Sequence, residues 1–491
     1  MTASPVQAGR QQRYSREDWA SGFGNVLHER SCWLDAVEGR IPMELQGTLF
    51  RNGPGRMERG GRWVHHSFDG DGMILSLAFG DGRAYLRNRF VRTSGFVEEE
   101  RAGQWRYRGV FGTRKPGGVV ANALDLRLKN IANTNVVDWG GRLLALWEAG
   151  LPHSLDPVSL ETRGEDQLGG VLDRGESFSA HPRFDPGHQG EPRMVGFGVK
   201  TGPTSTVRLM EFDGTGQLVA DQSRRFSGFA FLHDFAITRR YAVFLRNALR
   251  FNPAGYILGW KGAAQCLSSR PGQAGQFWIV PRDGRGEVRI IDAPEGFVFH
   301  HVNACEEGDT LVLDSIHYSD FVSIGPELDF RQVDFDSLPA GILKRCRIDL
   351  ASGCVSTAVL SGRCCEFGMV NPRRQGLPAR YGWIAVAERA EGNDPLQAIE
   401  KRDFDTGACL CWSAAPRGFV SEPVMVPRPG GRAEDDGWVL CLVWNGARRA
   451  SDLVILDAAD LRQLAVLKLP LAIPHGLHGS WSPRHSQPEP A

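Results

Sequence analysis

Short apolar stretches that alternate with period two recur along the chain; RLLALWE, YAVFLRN, TLVLDSI and WVLCLVW each sit between turn residues. Alternation at every second position sorts side chains onto the two faces of a strand, whereas an amphipathic helix repeats every three to four residues. Runs this short, separated by many of the 59 glycines, predict short strands and an all-β chain. A strand–Asp–turn–strand unit repeats at Asp81 (AFGDGRAYL), Asp156 (HSLDPVSLETR), Asp213 (MEFDGTGQLV), Asp283 (VPRDGRGEVRI), Asp349 (RIDLASGCVS), Asp405 (DFDTGACLCW) and Asp457 (ILDAADLRQLAVL). In each, an acidic residue near a glycine or small residue makes a tight reversal. The seven lie 52 to 75 residues apart, the order expected of a four-stranded blade with its loops, and predict a seven-bladed β-propeller. One stretch breaks the pattern. Between about 88 and 135 the run VVANALDLRLKNIA (119–132) reads as an amphipathic helix, which predicts a helical cap inserted into the propeller.

This reading makes residues 16–483 a single propeller domain, with a loose N-terminus over 1–15 and a loose tail over 484–491. Lys plus Arg equals Asp plus Glu at 57 each, so no global field draws nucleic acid or an acidic surface, and the partner is expected to be small or uncharged. The ten cysteines form no CxxC pair and no secretory signal opens the chain, as expected of reduced thiols in a cytoplasmic protein. The longest apolar run, near Trp438 to Trp444, is far too short to span a bilayer.

Thirteen histidines are present, and any one of them is by default a surface or satisfied core residue. Position in the repeat singles out four. His181, His233, His300 and His478 follow Asp156, Asp213, Asp283 and Asp457 by 17 to 25 residues, one connection after a blade hairpin. In a propeller that point is the innermost strand of the next blade, so side chains nearly 300 residues apart can converge on the axis. Glu366 and Glu422 each come 17 residues after Asp349 and Asp405, and Glu148 fits less regularly. Four neutral imidazoles suit Fe, Zn or Cu without choosing among them. The three glutamates, in apolar surroundings, are of the kind that holds the other N–H of a metal-bound imidazole and offsets the metal charge.

The motifs GTLFRNGPG (47–55), FDGDGMI (68–74), FVRTSGFVEE (90–99), NIANTN (130–135), ALWEAGLPHSLDP (145–157), SAHPRFDP (179–186), FLHDFAIT (231–238), FVFHHVNACEE (297–307), CCEFGMVNP (364–372), SEPVMVPRPG (421–430) and HGLHGSW (475–481) closely resemble those of the carotenoid cleavage oxygenases, over nearly the whole chain. The resemblance implies a seven-bladed propeller with a helical cap and one Fe(II) per chain on the four histidines. It also implies O2 as co-substrate and supporting glutamates at Glu148, Glu366 and Glu422. It selects His300 over His301 and His478 over His475; strand alternation independently turns His301 to the opposite face from His300. His65 and His66 receive no metal role.

What the resemblance implies for function is oxidative cleavage of a carbon–carbon double bond in an apocarotenoid, at the 15,15' bond, giving retinal-type aldehydes. A hydrophobic polyene needs an apolar tunnel. Trp147, Phe231 and Phe299 adjoin site residues, Phe68, Phe111 and Tyr318 are further wall candidates by similarity, and Thr134 is placed to crowd the metal. Each aromatic competes with a plain packing role. The stretch Val119 to Ala132 either dips into one membrane leaflet or packs on the propeller. A stilbene-cleaving dioxygenase holding a phenol with Tyr318 or Lys129, a retinoid isomerohydrolase and a non-catalytic binding propeller are the alternatives.

Overall fold

The computed structural model describes residues 14–188, 191–270, 272–325, 329–484 and 487. Seven antiparallel sheets surround a common axis. Counted from the axis outward, their innermost strands are Gly479–Ser482 in blade 1, Asn135–Trp139 in blade 2 and Arg183–His188 in blade 3. Phe235–Ile237, Phe297–Glu307 and Cys365–Val370 follow in blades 4 to 6, and in blade 7 Gly418–Val420 and Val424–Pro427 share the place. The ring closes twice. Gly479–Ser482 from the C-terminal end pairs with Gly47–Arg56 in blade 1, and Val37–Gly39 from the N-terminal end pairs with Gln463–Lys468 at the rim of blade 7.

The alternation seen in the sequence has a direct counterpart in packing. In the strand Gly437–Asn445, Trp438, Leu440 and Leu442 face blade 1 while Val439, Cys441 and Val443 face blade 6. Both sets are apolar because both faces of the blade are covered. The same holds round the ring, where an apolar wedge fills each of the seven gaps between neighbouring blades. Removing this surface from water, at about 25 cal/mol per Å2, is the main force holding the blades together.

The Asp hairpin joins the third and fourth strands of every blade. Asp156 Oδ1 accepts from the amides of Val158 and Ser159, and Asp349 Oδ1 does the same with Ala351 and Ser352. In blade 6 the residue with this role is Asp403, which caps the amides of Asp405 and Thr406, so the expected position at Asp405 is two residues late. Asp81 instead forms a two-residue turn with Gly82, both at positive φ (51° and 68°), the conformation that matches strand twist in a hairpin.

The cap departs from expectation. Its well-formed helix is Ser94–Ala102, capped by the Thr93 hydroxyl and ended by Gly103 in the left-handed conformation. Of the expected helix at 119–132 only Gly118–Asn122 is helical. The buried guanidinium of Arg108 takes the carbonyls of Asn122, Asp125 and Lys261, the Leu124 amide donates to Ile257, and Leu124 turns to a φ of 59°. Backbone groups that would have closed further helical turns are thus bonded elsewhere. At the ends, Tyr14 is buried and Ser15 caps the helix Arg16–Ala20, so these two residues of the stretch expected to be loose are packed into the fold. Arg484 pairs with Asp138 and Gln487 donates to Ala78; the rest of both termini lies outside the described residues.

Candidate metal centre

Six blades carry a histidine or glutamate of the site on or beside the innermost strand, and in blade 2 Thr134 stands just before that strand. His181 lies just before the strand of blade 3, His233 before that of blade 4, His300 within that of blade 5 and His478 before that of blade 1. Glu366 stands on the strand of blade 6, and Glu422 between the two short strands of blade 7. Thr134, at the start of blade 2, takes the amide of His478 on its carbonyl at 3.2 Å. Glu148 stands in the turn just after the second strand of blade 2, Arg142–Leu146, which is why it does not follow the spacing of the other two glutamates.

One ring nitrogen each from His181, His233 and His300 lie within 4.8 Å of one another. The Nε2 atoms of His181 and His233 are 3.1 Å apart, and those of His233 and His300 are 3.3 Å apart. The His478 ring completes the cluster, its centroid 4.4 Å from that of His181 and 4.9 Å from that of His300. The glutamates sit behind the rings. Glu148 accepts from His233 Nδ1, Glu366 from His300 Nδ1 at 2.7 Å, and Glu422 from His478 Nδ1 at 2.8 Å. Each carboxylate is itself a fixed acceptor that keeps the proton on Nδ1 and leaves Nε2 bare. The bare Nε2 lone pairs of His233 and His300, directed at each other at 3.3 Å, repel unless a cation lies between them. This donor set fits a borderline divalent metal.

Burial and the glutamates pull the charge states of the cluster in opposite directions. Burial, reinforced by the other three imidazoles, pushes His181 well below its ordinary pKa, and burial also lowers His478. Burial opposes charge on His300 as well, but Glu366, with Asp234 and Glu422 farther off, outweighs it and raises that pKa. Burial works against ionised Glu366 and Glu422 too, yet their imidazole partners, with Tyr318 and Arg51, hold both below the usual carboxylate range.

An apolar cavity of about 410 Å3 lies beside this cluster, its wall including Phe68, Phe299, Tyr318, Phe367 and Glu366, the carboxylate that holds His300. Phe299 lies 5.6 Å from the His233 ring, and the Tyr318 hydroxyl donates to Glu366 at 2.7 Å. Phe231 stacks parallel to His233 at 6.4 Å, and Phe111 packs on His66 and Phe68. Trp147 borders a separate small void beside Lys129. His301 points away from the axis to Ser315, and His475 donates to the Trp19 carbonyl within an aromatic nest. Two neighbours of the cluster escaped sequence reasoning. Phe367 lies 5.4 Å from the His478 ring, a position that its adjacency to Glu366 could have signalled; Arg51, which grips Glu422 at 2.8 Å, is marked only by being a cation inside a buried strand.

The chain is 48% identical to the apocarotenoid-15,15'-oxygenase of Synechocystis sp. over 98% of its own length and 99% of that protein. It is 30% identical to an isoeugenol monooxygenase of Pseudomonas nitroreducens over 91% of the chain and 94% of that protein. A crystal structure of cobalt-substituted Synechocystis ACO superposes with a TM-score of 0.95 at 48% identity, covering 96% of this chain and 100% of that one. Residues 23–483 match the family described as RPE65, retinal pigment epithelial membrane protein, and the chain therefore belongs to the RPE65/carotenoid oxygenase family of cleavage dioxygenases.

Proposed function

We propose that His181, His233, His300 and His478 hold one Fe(II), and that the chain cleaves the 15,15' double bond of an apocarotenoid with O2 to give two aldehydes. The observation that carries this is the convergence of bare imidazole nitrogens beside an apolar cavity. When bound, a ferrous ion supplies the one-electron chemistry that ground-state O2 needs to react with a closed-shell alkene. The remaining work falls to the chain. Glu148, Glu366 and Glu422 fix the tautomer and tilt of three rings, and the Tyr318 hydroxyl pins Glu366 in turn. Phe68, Phe299 and Phe367 give the polyene flat apolar walls that exclude water beside the cluster. Phe111 and Phe231 buttress those walls, Trp147 supports Glu148, and Thr134 narrows the approach from blade 2.

The stilbene-cleaving alternative needs a polar group free to hold a phenol. Both residues considered for that role are engaged, since the Lys129 ammonium sits between Asp71 and Glu99 at 2.5 and 2.6 Å and the Tyr318 hydroxyl is on Glu366. Uptake of a lipophilic substrate is supported by the exposed apolar side chains of Val120, Leu124, Leu126, Leu258 and Trp260, whose two segments are joined where the Leu124 amide meets the Ile257 carbonyl. No helix among the described residues is long and apolar enough to cross a membrane; the patch is of the kind that rests on a lipid surface, and we propose that it does so here. Replacing Val120 and Leu124 by Ser should reduce vesicle co-sedimentation; unchanged binding removes the patch from the reading.

The test of function is anaerobic Fe(II) loading followed by O2 and an apocarotenal, with products identified by mass. Two aldehydes from the 15,15' bond are expected. Turnover of a hydroxystilbene but of no apocarotenal would overturn the substrate class.

A further inference from the structure

The innermost strands of different blades share no sheet, so no backbone ladder sets their positions relative to one another. Apolar wedges hold blades together but are non-directional, and they tolerate sliding that would misplace a ligand. Something directional must set the spacing of four histidines drawn from four blades.

Around the axis that role falls to buried and half-buried charged groups that bond to the main chain beside the histidines. Arg183, two residues after His181, donates through Nε to the Phe235 carbonyl at 2.7 Å and through Nη2 to the His301 carbonyl at 2.8 Å. The same Nη2 meets the Asp234 carboxylate. Asp234, next to His233, accepts the His301 amide at 2.8 Å and the Phe235 amide at 2.7 Å. Blades 3, 4 and 5 are thereby tied at residues adjoining, or two positions from, His181, His233 and His300. On the other side Arg51 of blade 1 donates to Glu422 Oε2 at 2.8 Å and to the Leu477 carbonyl, next to His478, at 2.9 Å. Glu422 also takes the Gly479 amide at 2.9 Å, so the ring and main chain of the fourth histidine are held by one carboxylate. All of these are charge-assisted bonds, roughly twice as strong as neutral ones, and the planar guanidinium fixes direction as well as distance.

We propose that Arg183 with Asp234, and Arg51 with Glu422, are positioning residues: two arginine clasps that hold the four histidines at cation-binding spacing by bonding to the main chain beside them. The proposal rests on the histidines being the metal ligands. Neither arginine needs to touch substrate or metal, and a Lys in its place, with a point charge and no fork, should restore only part of the effect.

The experiment loads wild type, Arg183→Met, Arg183→Lys, Asp234→Asn and Arg51→Met with Co(II). It reads the ligand-field spectrum and the rate of release to a chelator, with thermal unfolding as the control for folding. Folded Arg183→Met and Arg51→Met should show altered bands and release metal about 10–100-fold faster, as losses of support around metal ligands typically produce. Arg183→Lys should fall between Arg183→Met and wild type. Asp234→Asn preserves shape and should also release faster, which keeps the test decisive if a Met variant fails to fold. Wild-type spectra and release rates in the folded variants overturn the clasps, whereas failure of the wild type itself to bind Co(II) overturns the metal site on which they rest.

Discussion

The histidines of the axis and those packed elsewhere in the molecule are all largely removed from water, His233 and His300 less so than His301, His153 and His317, yet they are wired differently. His301, His475, His153 and His317 meet a serine hydroxyl, a backbone carbonyl, no partner at Nδ1, and a cysteine thiol respectively. None of these contacts is a carboxylate, and burial lowers all four, His301 to about 3 and the others to about 4. On the axis three of four rings back onto glutamates. Burial alone makes a histidine neutral; a carboxylate on Nδ1 and a free Nε2 facing other free Nε2 atoms make it a ligand. His300 and His301 state the difference within one strand.

The largest effect should come from breaking that pair. His300→Ala removes a ligand and should abolish both metal retention and turnover, whereas His301→Ala should keep its metal and lose stability by about 2–4 kcal/mol, as buried truncations do. Metal analysis beside denaturant unfolding of both variants checks this, and equal metal loss in the two would erase the distinction. Next in size is Glu366→Gln, which keeps shape but frees the His300 tautomer and should cost about 10–100-fold in metal affinity. Full affinity in that variant would mean that the carboxylate is incidental.

The smallest effect belongs to the blade histidines. With a folded pKa of about 4 against an ordinary 6.5, His153 takes up its proton in the unfolded chain first as pH falls. Its contribution is therefore present above pH 6.5 and lost on descending toward 4, amounting to about 2 kcal/mol between pH 7 and 5. His153→Phe should flatten the pH dependence of the urea midpoint by that amount; an unchanged slope would contradict the assignment.

The propeller was legible because its rules are local. Period-two runs and Asp turns register within about ten residues, and even a two-residue slip, Asp405 for Asp403, leaves the blade count intact. The axial histidines were legible through the same repeat, since a regular blade delivers its innermost strand at a regular interval. Glu148 was not regular, because it follows a second strand rather than leading into an innermost one. The clasp residues Arg183 and Asp234 act on main chain in other blades and Arg51 on a carboxylate from another blade, and no local pattern marks such a partner. The cap misled for a related reason: the amphipathic period at 119–132 was real, but Arg108 captured the carbonyls that a helix would have used. Leu124 and Leu126 consequently lie outside any helix and remain exposed.

The most direct test of the centre is X-ray absorption on the protein loaded with one equivalent of Fe(II) under anaerobic conditions. The account predicts one tightly held ion per chain with imidazole nitrogen as the only protein donor, Glu148, Glu366 and Glu422 remaining behind the rings. A protein carboxylate or thiolate bound directly to the ion, or loading well below one equivalent in a fully folded sample, would contradict it.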